Sequence, residues 1–216
     1  MTKPTQFINF AELDKAIVST EPYPYTIISD FINLERLSEL VRSFPAITHR
    51  GSIPASSVEC SPLFQEFLQE MDGEELRNKI AQKFSIDLAD KPTLTTLRGY
   101  TTSRDGHIHT DSKDKLITVL IYLNETWNND DGKLRLLTNN HSLDDYVAEV
   151  SPQAGTCLIF KVTPNGWHGH KVFTGKRLSL QFNYLTNDAA LKKHTKNHSS
   201  SAKWKRLFPW LFSRSY

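Results

Sequence analysis

Cysteine is scarce in this 216-residue chain: Cys60 and Cys157 are the only two. Two thiols do not make the disulfide framework of a small secreted domain. Cys157 lies in the apolar run Cys157-Leu158-Ile159-Phe160, which reads as a buried free thiol in a reducing compartment. No apolar run approaches the roughly 18 residues that a membrane-spanning helix needs. The first residues, Met1-Thr2-Lys3-Pro4-Thr5-Gln6, lack the basic-then-apolar pattern of a secretory leader. These absences point to a cytoplasmic protein. An internal repeat is missing too, which excludes solenoids and propellers. Nor is there a dominant charge of one sign, since the formal net charge is +2. That balance hides an asymmetry. Residues 187–216 hold seven Lys/Arg against one acid, a charge of +6, which leaves −4 on residues 1–186. A basic face spread over the whole domain is therefore excluded, and no nucleic-acid partner is expected.

What is present suits a globular domain, with 38% hydrophobic and 23% charged residues. Residues 1–92 read mostly as helix. A short helix fits between Ile8 and Val18, and a strand at Tyr25–Ile28. Asn33 can cap a helix with Leu34, Leu37, Leu40, Val41 and Phe44 on one side, ended by Pro45. Two more helical stretches follow, Pro62–Met71 and Glu74–Phe84, with Arg50–Ser57 as a loop between. From Thr93 the texture changes to short runs rich in Thr, Val, Ile, Leu and Tyr. They are Thr93–Tyr100, Leu116–Leu123, Lys133–Leu137, Val147–Val150, Thr156–Val162, Lys171–Phe173 and Leu178–Leu185. Turn residues separate them, strongly at Asn128-Asn129-Asp130-Asp131-Gly132, and Thr174-Gly175 reads as a hairpin tip. This many strands in residues 93–186 favours a sandwich, barrel or jelly roll.

The chemistry concentrates in two short motifs. In Gly106-His107-Ile108-His109-Thr110-Asp111, residues two apart share a face if the segment is extended. An imidazole and a carboxylate so placed can be adjacent ligands of one metal. Downstream, Asn165-Gly166-Trp167-His168-Gly169-His170 supplies further histidines. Two histidines and one carboxylate, with three positions left open, make the facial triad of non-haem Fe(II) sites. Strand parity alone puts His168 and His170 on one face and does not choose between them. His107 likewise shares a face with His109, but only His109 has a carboxylate two residues on.

The stretch from Leu97 to Tyr184 resembles the 2-oxoglutarate/Fe(II)-dependent dioxygenase superfamily, in its prolyl-4-hydroxylase-like branch. The resemblance rests on Arg98-Gly99-Tyr100, the His109-Thr110-Asp111 motif, and Leu116–Asn124. It continues through Asp131-Gly132-Lys133-Leu134, Ala154–Phe160, Trp167-His168 and Gly175–Leu180, in that order. It implies a mainly β chain with N-terminal helices around a double-stranded β-helix, a jelly roll. Residues 1–92 would form a helical support, 93–186 the oxygenase core, and 187–216 a basic, aromatic tail. His109 and Asp111 would lie on the second core strand and His168 on the seventh, the three holding Fe(II). The Trp-His pattern and the spacing to Arg177 pick His168 over His170. Arg177, on the eighth strand, would bind the distal carboxylate of 2-oxoglutarate, a task that suits a planar, permanently charged guanidinium. Tyr100, Tyr122 and Ser179 match positions whose hydroxyls contact the same co-substrate. Many relatives have Gly-Gly where this chain has Asp131-Gly132, and an acid or small polar residue at Lys133, so an altered loop is expected there.

The implied activity consumes dioxygen and 2-oxoglutarate, releases succinate and carbon dioxide, and hydroxylates a substrate C–H bond, with ascorbate a candidate reductant. A protein or peptide side chain such as proline ranks first as substrate, and a free amino acid or small metabolite second. A non-catalytic jelly roll and a cupin-like metal protein are the rival classes. Trp127 and Trp167 flank the expected opening, either packing or stacking on a substrate. In the tail, Asn197–Ala202 reads as a linker. Lys203–Phe212 mixes cations with large apolar residues, suited to a membrane surface, to a second subunit, or to packing on its own domain.

Overall fold

A computed structural model describes residues 5–48 and 50–196. The expected linker Asn197–Ala202 and the basic aromatic segment lie outside the described residues. Asn9 starts α1 (Phe10–Lys15) and its side chain accepts the Glu12 N–H, the ordinary use of an asparagine cap. β1 (Tyr25–Ile28) and α2 (Leu34–Arg42) follow. Asn33 does precede α2, but its amide donates instead to the Gln6 and Ile8 carbonyls, tying down the N-terminal segment. Leu34, expected on the apolar side, is 74% exposed, and Leu40 and Val41 carry the buried face.

The segment expected as a loop contains β2 (Ile53–Pro54) and a 3-10 turn (Ala55–Ser57). β2 pairs only with β3, and a proline is tolerated in such an edge strand. α3 (Pro62–Met71) begins with Pro62 behind the Ser61 cap, whose side chain accepts the Phe64 N–H. α4 (Glu74–Phe84) ends at Ser85 in left-handed conformation.

Seven more strands follow among the described residues: β3 (Thr93–Thr101), β4 (Lys115–Tyr122), β5 (Leu134–Leu137), β6 (Tyr146–Val150), β7 (Cys157–Lys161), β8 (His168–His170) and β9 (Gly175–Leu185). They form two antiparallel sheets, ordered β1-β7-β4-β9-β3-β2 and β6-β5-β8. This is the jelly-roll arrangement, and the 1–92 region contributes β1 and β2 to the edges of its larger sheet. Thr174-Gly175 is not a hairpin tip, because β8 pairs with β5 in the small sheet and β9 with β3 and β4 in the large one. The strand expected at Lys171–Phe173 lies instead at β8, whose His-Gly-His sequence carries no apolar signature.

Alternation along the large sheet sorts the side chains into two environments. Ile117, Val119, Ile121, Ile159, Leu180 and Phe182 pack with Phe64, Phe67, Met71, Leu76 and Ile80 in one cluster with the helices. The opposite face turns to the small sheet, where Tyr122, Leu158 and Phe160 meet Leu134, Leu136 and Val150. The site lies on this second face. Both cysteines are free, and burial raises the Cys157 thiol well above its usual pKa. Residues 188–196 are helical, and Ala190 packs against Leu94 and Leu185. Among the described residues no helix is long and apolar enough to cross a membrane.

Candidate active site

A cavity of about 290 Å³ opens between the sheets. β3 presents Thr96 and Arg98 to it, β4 presents Thr118 and Leu120, and β9 presents Arg177, Ser179 and Gln181. His168 and His170 enter from β8, and the segment from Arg104 to Asp111 closes one side. That segment is not the strand expected for His109 and Asp111. It holds its place through an isolated bridge in which His109 and His168 exchange backbone hydrogen bonds of 3.0 and 2.9 Å. The His170 N–H adds a bond to Gly106 O at 3.0 Å. Gly106 has φ +96°, and a Cβ there would sit 2.4 Å from the His170 carbonyl oxygen. Only glycine lets the chain pass so close to β8 in this conformation.

One ligand atom from each of His109, Asp111 and His168 lies within 4.8 Å of the other two. His170 lines the cavity but is outside this group, so the fold separates two histidines that strand parity left equivalent. Both imidazoles of the group are oriented by backbone oxygens: His109 Nδ1 lies 2.8 Å from His107 O, and His168 Nδ1 lies 2.9 Å from Gly166 O. With Nδ1 donating, each Nε2 keeps its lone pair for a metal, the arrangement that fixes tautomer and ring in metal sites. Burial, aided by the nearby His109, lowers the His168 pKa to about 4, so the ring is neutral at pH 7 and able to ligate.

Asp111 is nearly enclosed, with Lys115 Nζ 3.0 Å from Oδ1 and Thr118 Oγ1 2.5 Å from Oδ2. Burial opposes its charge, but Lys115, His168 and Thr118 together hold its pKa below the usual carboxylate range. Thr118 Oγ1 also lies 3.1 Å from Asn183 Oδ1; having one proton, it donates to the carboxylate. Two imidazoles and one carboxylate fit a six-coordinate Fe(II) with three positions left over.

Arg177 is 4% exposed. Its Nε donates to Gly132 O at 2.9 Å and its Nη2 to the Tyr122 hydroxyl at 3.3 Å. Among the described residues no carboxylate pairs with it. A buried guanidinium without a counter-charge is costly, and a ligand carboxylate would supply one. Gly132 belongs to the loop expected to differ. It adopts φ +80°, with Trp127 and Phe173 packed where a Cβ would be, and its carbonyl braces Arg177.

Ser179 lines the cavity and pairs with Arg98 on one side and Tyr122 on the other. Tyr122 is fully buried beneath Arg177. Tyr100 is not brought to the cavity: a bulge between Arg98 and Tyr100 breaks the alternation, and Arg98 takes the inward place. Trp127 and Trp167 do not line it either. Trp127 packs on Phe173 with ring centroids 4.6 Å apart, and Trp167 O accepts from the Tyr23 hydroxyl. Sequence reasoning missed Arg98, Arg104, Thr118 and Gln181. The last two stand on the inward parity of β4 and β9, the one signal that marks them.

Residues 95–185 match the family described as the 2OG-Fe(II) oxygenase superfamily. That stretch of the chain is similar to this family. Among solved structures, the chain is similar to a prolyl-4-hydroxylase from Pseudomonas putida, with 19% identity, a TM-score of 0.57, and coverage of 86% of this chain and 98% of that one. It also resembles the viral collagen prolyl hydroxylase of Paramecium Bursaria Chlorella virus-1 in its 2OG complex, at 14% identity and TM-score 0.52, over 75% and 96% of the two chains. A prolyl hydroxylase from Trichoplax adhaerens, in complex with a hypoxia inducible factor oxygen degradation domain peptide, matches at 19% and TM-score 0.50, over 74% and 83%. At these identities the likeness is one of fold. No curated protein sequence matches the chain. Fe(II) and 2-oxoglutarate are the cofactor and co-substrate that the family implies.

Proposed function

We propose that His109, Asp111 and His168 hold Fe(II), that Arg177 holds the distal carboxylate of 2-oxoglutarate, and that the enzyme hydroxylates a C–H bond of its substrate. The observation that carries this reading is the buried, acid-free Arg177 in the same cavity as three converging metal-ligand atoms. Bound there, Fe(II) with 2-oxoglutarate and dioxygen supplies the oxidising power for hydroxylation, with succinate and carbon dioxide released. The chain's own share is positional. Thr118 and Lys115 fix the Asp111 carboxylate, while the His107 and Gly166 carbonyls fix the two imidazoles. Ser179 lines the cavity and offers its hydroxyl to the co-substrate, while the buried Tyr122 hydroxyl accepts from Arg177 and holds it in place. Leu120, Leu134 and Phe160 wall the cavity and keep water from it. His170 stands beside the metal group as a wall residue.

For the substrate we put a protein or peptide side chain such as proline first. The fold shared with prolyl hydroxylases, one of them solved with a peptide, supports this. A free amino acid or small metabolite is the alternative. The test is anaerobic titration of the apoprotein with Fe(II) and then 2-oxoglutarate, following the weak visible charge-transfer band of the chelated complex. The band is expected in wild type and His170→Ala, absent in His168→Ala and weakened in Arg177→Ala. Iron binding in the wild type without a band would refute co-substrate docking.

A further inference from the structure

The cavity is lined by more positive charge than iron and 2-oxoglutarate use. Its guanidiniums are Arg98, Arg104 and Arg177, and its carboxylates are Asp105 and Asp111. Asp111 belongs to the metal in the reading above, and Arg177 to the co-substrate. The wall formed by β3 and the segment after it keeps Arg98, Arg104 and Asp105. Asp105 is already saturated locally. Its Oδ1 accepts from Arg98 Nη1 at 2.7 Å, and its Oδ2 accepts from the Thr102 N–H at 2.8 Å and the Thr102 hydroxyl at 3.1 Å.

Arg98 has spent only part of its capacity. Nη1 goes to Asp105 and Nη2 to Ser52 Oγ at 3.3 Å. A guanidinium has five N–H donors, so these two bonds leave three, and Arg98 lines the cavity. Arg104 stands exposed at the rim, and among the described residues no carboxylate lies within ion-pair distance of it. Asp105 offsets one of these two cations and leaves the other uncompensated. Arg98 itself stands near the buried arginine, since it pairs with Ser179, two residues from Arg177 on the adjacent strand.

We propose that the primary substrate carries a carboxylate, which seats against Arg98 and Arg104. The inference rests on the oxygenase reading and narrows its substrate. A cavity of about 290 Å³ is at the small end for ligand sites, and it must hold 2-oxoglutarate as well. The buried part of the substrate is therefore small, and its carboxylate lies within a few bonds of the carbon that is hydroxylated. A free carboxylic acid and an acidic side chain of a peptide share this chemistry.

The test uses the full chain loaded with Mn(II) and N-oxalylglycine, a redox-inert analogue that occupies the co-substrate position. The readout is paramagnetic relaxation of fluorine in three probes: trifluoroacetate, N-trifluoroacetyl-Gly-Glu-Gly amide, and neutral trifluoroacetamide. Trifluoroacetate is expected to relax at least three-fold faster than trifluoroacetamide in the wild type. That excess disappears in Arg104→Gln, an exposed position that leaves the fold intact, and in Arg98→Gln. Enhancement of trifluoroacetate alone assigns a free acid, and enhancement of the peptide as well assigns an acidic side chain. Equal relaxation of charged and neutral probes in the wild type overturns the proposal. So does an excess that survives in both variants, or loss of N-oxalylglycine affinity in Arg98→Gln with Arg104→Gln unchanged, which gives Arg98 to the co-substrate. Failure of the wild type to bind Mn(II) and N-oxalylglycine removes the oxygenase reading itself, and this proposal with it.

Discussion

Asp111 cannot hold a useful geometry alone, because a carboxylate taken out of water needs donors to fix it and offset its burial. Thr118 is the closest of them, 2.5 Å from Oδ2. Replacing it by valine removes the hydroxyl and nothing else of consequence to the strand. Fe(II) affinity, measured by competition with a chromophoric chelator, is expected to weaken about 10- to 100-fold, as for other residues that orient metal ligands. An unchanged affinity would show that Lys115 and the backbone suffice. Asp105 makes a pH-dependent contribution of the same kind. Burial opposes its charge, but the Thr102 N–H and Arg98 outweigh it and hold its pKa below the usual carboxylate value of 3.8. A carboxyl depressed in the folded state stabilises fully above its unfolded pKa and loses that contribution as pH falls through the folded one. Asp105→Asn is therefore expected to cost about 1 kcal/mol at pH 7, discounted from the usual worth of hydrogen bonds to charged groups because solvent reaches the pair. In urea denaturation the difference between variant and wild type should close below pH 4. His109, Asp111, His168 and Arg177 are legible in the sequence because each sits in a motif of fixed spacing. Arg98 is not, because which of Arg98 and Tyr100 faces inward depends on a bulge that no local signal announces.

The least regular element carries the most chemistry. The segment between β3 and β4 has neither helix nor strand periodicity, and it is positioned by two backbone contacts with β8. A Cβ at Gly106 would collide with the carbonyl and ring of His170 and would have to adopt φ +96°. Gly106→Ala is thus expected to detach the segment rather than unfold the domain. Metal affinity should fall at least ten-fold while far-ultraviolet circular dichroism stays as in wild type. Asn124 shows the opposite case, a side chain that fastens two regular elements. Just beyond β4, its amide donates to Pro152 O and Leu178 O, and its Oδ1 accepts the Leu178 N–H at 2.7 Å, all buried. Asn124→Ala leaves those backbone groups unpaired, and a loss of about 3 kcal/mol is expected in urea denaturation. Elements with internal periodicity could be read in advance: Tyr25–Ile28, Pro62–Met71 and Glu74–Phe84 have the bounds expected of them, and β3, β4, β5, β6 and β7 differ by a residue or so. β2 and β8 could not, for a two-residue edge strand and a buried His-Gly-His owe their state to partners distant in sequence. Leu34 misled for the same reason, since helical spacing gives a face but not where the neighbouring layer ends.

At the scale of the whole molecule, the site lies between the two sheets. His168 belongs to the small sheet, Asp111 is held by Thr118 from the large sheet, and His109 sits on the segment between them. A metal bound by all three ties the layers together at this open end. Lys115, Thr118 and Gln181 donate to the carboxylate, and the His109 and His168 ring centroids lie 4.3 Å apart. Metal binding should therefore appear as global stability. At a free concentration of about 100 times Kd, a ligand that binds only the folded state adds about 2.7 kcal/mol. For a domain of this size each kcal/mol moves Tm by roughly 2–4 °C, so a rise of about 5–10 °C is expected from chelator-treated to Mn(II)-loaded protein. His170→Ala should keep that rise, because its ring lies outside the converging group, and His168→Ala should lose it. A rise of equal size in His168→Ala would move the ligands elsewhere in the chain. A rise in the wild type confined to a minor early transition would mean that the metal orders only the 106–111 segment and does not join the sheets.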